Sequence, residues 1–90
     1  DLLMLPTVPI PPYKAENPGL DGGDIFGPWC NTFVFNLTQQ PSSSVPCGRT
    51  SIGLPVGLQI VGRPHDDVGV LRAAKVFENT EMYKVTIPLY

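Results

Sequence analysis

Apolar positions in this chain come in short blocks of different period, and each block predicts a different element. Leu2-Leu3-Met4-Leu5 is a nearly continuous apolar run stopped by Pro6. That pattern predicts a strand covered on both faces. Pro6, Pro9, Pro11 and Pro12 then forbid regular pairing and predict an extended exit over the surface. Asn17-Pro18-Gly19 and Asp21-Gly22-Gly23 are turn signals, so residues 13–24 read as a loop. Between Ile25 and Leu37, the residues Phe26, Trp29, Cys30, Phe33, Val34 and Leu37 recur at three- and four-residue spacing. That predicts a short helix with those side chains inward, closed by Pro41.

The second half is more regular. Ser43–Cys47 and Val56–Val61 read as two strands. Arg49-Thr50-Ser51-Ile52, flanked by Gly48 and Gly53, joins them as an antiparallel hairpin. Asp66 or Asp67 can accept the free N–H groups of a first helical turn. A helix follows over residues 67–78, with Val70, Leu71, Ala74 and Phe77 on its apolar face and Arg72, Lys75 and Glu78 opposite. Residues 84–89 read as a short strand or an ordered tail.

Ninety residues bound the chain to one domain at most. The strand begins without a lead-in, which predicts a piece of something longer. Two apolar strands need helices on both faces, and one amphipathic helix is secure. The fold class is therefore a layered α/β structure, incomplete on its own. A net charge of −2 provides no basic field for nucleic acid. No apolar run is long enough to span a bilayer.

The strongest motif is Gly53-Leu54-Pro55-Val56-Gly57-Leu58-Gln59-Ile60-Val61-Gly62. Ser44-Val45-Pro46-Cys47-Gly48 and Asn36-Leu37-Thr38-Gln39-Gln40-Pro41 stand before it. Together they resemble the C-terminal segment of the amidase signature family, serine-dependent hydrolases of carboxamides. The resemblance implies the C-terminal part of an α/β/α sandwich around a mixed sheet. It implies that catalysis uses a Ser nucleophile, a second Ser and a Lys base upstream, so this chain holds no catalytic residue. The motif glycines suit close backbone approach at a crowded sheet edge.

Two departures bear on subfamily. Many family members have Gly where Gln39 stands, while a branch of general amidases carries Gln-Gln-Pro. The tRNA-dependent amidotransferase A-type subunits carry an Asp that recognises the glutamine amino group where this chain has Trp29. The main reading is thus part of a general amidase. A fragment of an amidotransferase A-type subunit is the alternative, and a non-catalytic structural fragment is the third. Trp29 and Phe33 are the candidate substrate-binding residues, with Trp29 equally able to serve as core.

The resemblance implies no cofactor and no metal, a cytoplasmic location, and a small-molecule amide as substrate. The expected partner is the remainder of the amidase chain; a homodimer is allowed. Other groups have plainer readings. Ser42-Ser43-Ser44 lacks the flanking glycines of a catalytic segment and reads as strand. His65 beside Asp66 and Asp67 reads as a surface imidazole at a helix cap. Cys30 and Cys47 read as two buried thiols in a reducing compartment. Lys14, Lys75 and Lys84 read as solvated charges. Asn36-Leu37-Thr38 matches a glycosylation sequon but is expected to be buried at a helix end.

Overall fold

The structure is a computed structural model and describes residues 1–14 and 30–80. Five elements follow one another: β1 (Leu3–Pro6), α1 (Cys30–Thr38), β2 (Ser42–Arg49), β3 (Pro55–Val61) and α2 (Asp67–Asn79). The strands form one sheet in the order β1-β3-β2. Leu3 pairs with Val61 and Pro6 with Leu58 on one side of β3, and Ser42 pairs with Val61 and Arg49 with Pro55 on the other. Both pairings are antiparallel. The described strands alone therefore do not make a mixed sheet. The expected loop over 13–24 and strand or tail over 84–89 fall largely or wholly outside the described residues, as does the first part of the helix expected from Ile25.

Prolines sit where a missing N–H is harmless. Pro6 ends β1, Pro55 starts β3, and Pro46 lies on β2, which is at the sheet margin. The register slips between Pro46 and Gly48, leaving Cys47 as the extra residue of a bulge. Cys47 is a free thiol and only half-buried, against the expectation of a buried one, because the bulge lifts it from regular pairing. The hairpin is closed by Thr50, whose N–H donates to the Leu54 carbonyl at 2.7 Å and whose carbonyl accepts from Gly53 at 2.9 Å. Gly53 takes a φ of 88° there, a conformation costly for any residue with a Cβ.

The core is small. Among the described residues only Ile60, Val61 and Val70 are buried apolar side chains, joined by the buried amide of Gln59. Gln59 and Ile60 are neighbours on a pleated strand, so they point to opposite faces. Both faces of β3 are thus covered at this point. β1 is different: Met4 is 53 % exposed, and Leu2 and Leu3 are exposed too. The expected strand is present, but the expected cover on both faces is not: of its four residues only Leu5 is half-buried.

α2 packs on β2 and β3 and begins as the sequence predicts. Asp66 is its N-cap, accepting the Gly69 N–H at 3.0 Å. Its inward face is Val70, Ala73, Ala74 and Phe77. Leu71, expected on that face, is 66 % exposed, because it lies about 100° round the helix from Val70. Among the described residues no helix is long and apolar enough to cross a membrane.

Candidate substrate-binding surface

α1 meets the sheet through polar groups. Asn31 stands in its first turn, and its Nδ2 donates to the Pro6 carbonyl at 2.9 Å. Gln59 Nε2 donates to the Asn31 carbonyl at 2.6 Å. At the other end, Gln40 Nε2 donates to the Gly62 carbonyl at 3.0 Å, and Thr38 Oγ1 donates to Gln40 Oε1 at 2.9 Å. Each of these amides thereby finds a partner, and no buried side-chain polar atom is unsatisfied among the described residues.

This arrangement inverts the helix face expected from the sequence. Asn31, Thr32 and Phe35 turn toward partial cover, whereas Phe33 is 47 % and Leu37 76 % exposed, with Val34 exposed beside them. The cause is the register of the polar clamps: Asn31 must face Pro6 and Gln59, which turns the Phe33–Leu37 stripe outward. The Asn36-Leu37-Thr38 sequon does lie at a helix end, but exposed and not buried. Gln39, just after α1, has a φ of 58°, and the Gln40 N–H bonds the Phe35 carbonyl at 3.2 Å. That is a left-handed helix termination, which favours Gly.

An open groove of about 770 Å³ is lined by none of these clamp residues. One wall is the segment from Thr7 to Tyr13, which bends over residues 7–10 and so departs from the extended exit that the prolines predict. The other is the β2–β3 hairpin, with Val45, Pro46, Pro55 and Val56. The lining is mostly apolar, and among the hydroxyl residues that interrupt it Thr7 Oγ1 and Ser44 Oγ stand 2.6 Å apart. Gly57 lies beneath them. A Cβ on it would stand 2.8 Å from Ser44 Oγ and 2.9 Å from Thr7 Oγ1. The motif glycine is crowded as expected, but on the central strand and not at an edge. Sequence reasoning missed this groove. Its signal was the run of prolines after β1, which keeps this wall out of regular strand pairing.

Phe33 is on α1 and does not line the groove, and Trp29 lies outside the described residues. Ser42, Ser43 and Ser44 stand on β2, as strand residues. His65 is exposed beside the Asp66 cap. Among the described residues no three His, Cys, Asp or Glu side chains are grouped to hold a metal ion.

A family model described as Amidase matches residues 1–71. The A subunit of the glutamyl-tRNA(Gln) amidotransferase of Methanosarcina mazei is 47 % identical over 88 residues, covering 98 % of this chain and 18 % of its own length. Its counterpart in Myxococcus xanthus is 41 % identical over 90 residues, covering 99 % of this chain and 18 % of its own length. That of Thermodesulfovibrio yellowstonii is 36 % identical over 89 residues, with 99 % and 18 % covered. The chain thus spans under a fifth of the length of these relatives. No solved structure matches it.

Proposed function

The chain belongs to the amidase family, and from that premise we propose that it is one segment of a larger enzyme that breaks a carboxamide C–N bond, working as an amidotransferase A-type subunit. The observation that carries this reading is likeness over nearly the whole chain, at 36–47 % identity, to proteins named as the A subunit of glutamyl-tRNA(Gln) amidotransferase. On this ground the amidotransferase alternative stands ahead of the general amidase. In this reading the nucleophile and base belong to other parts of the protein, where an activated hydroxyl attacks the amide carbonyl and backbone N–H groups hold the oxyanion. The present segment supplies the antiparallel sheet, one layer of the expected sandwich, and part of the substrate pocket through Trp29 and Phe33. Its net charge of −2 offers no basic face, so contact with tRNA falls to other parts or to partner subunits in the cytoplasm.

One specific observation favours the general amidase as a second reading. Trp29 replaces an amine-binding carboxylate with an apolar wall, and an ammonium placed there would lose water without gaining a partner. The two readings separate by substrate. The entire product of the source gene is assayed for release of ammonia from glutamine and from an aryl amide, with and without glutamyl-tRNA. Glutamine use coupled to amidation of the tRNA supports the A-type subunit. Turnover of the aryl amide alone supports the general amidase.

A further inference from the structure

Gln59 is the one buried polar side chain among the described residues, at 3 % exposure, and it spends its amide on a main-chain carbonyl of a different element. That carbonyl belongs to Asn31, whose own side chain reaches on to the Pro6 carbonyl. Two hydrogen bonds in series therefore tie the central strand to the first turn of α1, and that turn to the point where β1 leaves the sheet. Immediately after Pro6 comes Thr7, whose N–H bonds the Gly57 carbonyl at 3.0 Å and which opens the groove wall. Phe33 stands two residues beyond Asn31 on the same turn of helix.

We propose that Gln59 and Asn31 are positioning residues for the substrate pocket: together they fix α1's first turn, and with it Phe33, relative to the chain segment that starts at Thr7. The proposal rests on the reading that Phe33 belongs to that pocket. Neither residue touches the reacting bond. Their effect passes through the placement of main chain, where a displacement of about 1 Å is enough to change rates a hundredfold. Burial makes the device stiff, because an amide released from its partner there has no water to turn to.

A matched control stands just beyond the C-terminal end of the same helix. Gln40 also donates its amide to a main-chain carbonyl, that of Gly62, but at the far end of α1. The full gene product is prepared with Gln59→Met, Asn31→Ala, Gln40→Met or Phe33→Ala, and kcat and KM are measured for an aryl amide and for glutamine, with thermal melting alongside. Gln59→Met and Asn31→Ala are expected to change the ratio of the two kcat/KM values by about tenfold, mainly through KM. Gln40→Met is expected to lower the melting temperature to a similar degree and leave the ratio unaltered. An equal change of ratio in Gln40→Met overturns the proposal, since it would mark general loosening. An unchanged ratio in folded clamp variants, with a changed one in Phe33→Ala, overturns the clamp alone. No change in Phe33→Ala either, or no turnover of both amides by the unaltered protein, overturns the pocket reading and the clamp with it. Should Gln59→Met not fold, Asn31→Ala, at a half-buried position, decides the matter.

Discussion

Single residues in this chain are constrained by what a Cβ would meet and by which φ the backbone demands. Gln39 holds a φ of 58° at the end of α1, where Gly is at no disadvantage. Gln39→Gly is expected to raise stability by about 1 kcal/mol, read as a higher melting temperature of the full gene product. The two crowded glycines of the motif differ. A Cβ on Gly62 would lie 2.6 Å from Val70 Cγ2, an atom of a buried β-branched side chain with little freedom to turn. At Gly57 the closest atoms are the Ser44 and Thr7 hydroxyl oxygens, at 2.8 and 2.9 Å, with Thr7 Cβ at 3.4 Å, and the nearest of them sits on the unbranched, exposed Ser44, which can turn away. Gly62→Ala should therefore cost about 2 kcal/mol or more, and Gly57→Ala distinctly less, by the same melting measurement. The sequence motif marked both glycines as crowded. It could not rank them, because the ranking depends on which side chain stands opposite.

At the scale of elements, β2, β3 and α2 were legible because each carries a local signal: prolines and turns at the strand ends, and a capping aspartate before an apolar period of 3.6. Asp66→Ala should destabilise α2 by about 1 kcal/mol, seen as loss of helix and a lower melting point. Val70→Ala should cost about 2 kcal/mol, since Val70 is one of the three apolar residues buried among those described. The face of α1 was not legible. Its apolar stripe predicts Phe33 and Leu37 inward, yet Gln59 and Pro6 offer this helix polar partners, and Asn31 takes them. Amphipathic pattern reports which face of a helix will be covered, not by what. The covering of Phe33, Leu37 and the outward Leu71 depends on surfaces other than this sheet.

Among the described residues more large apolar side chains are exposed than buried. Leu3, Met4, Phe33, Leu37, Ile52, Leu71 and Val76 are all exposed, against three buried apolar side chains among the described residues. A core of that size stabilises little against chain entropy. Residues 1–90 expressed alone should bind a hydrophobic dye, melt without a sharp transition and hydrolyse no amide. The mixed α/β character was legible at this scale because strand-like and helix-like apolar periods alternate along the chain. The substrate was not, since the residues that would touch it are shared with surfaces beyond the sheet. The most direct measurement is therefore made on the entire gene product with its co-purifying subunits: the amide nitrogen of ¹⁵N-labelled glutamine is followed in the presence of glutamyl-tRNA. Label recovered in the aminoacyl group of the tRNA is the predicted result. Hydrolysis of aryl amides with no label in the tRNA, or no cleavage of any amide, would contradict the assignment to an amidotransferase A-type subunit.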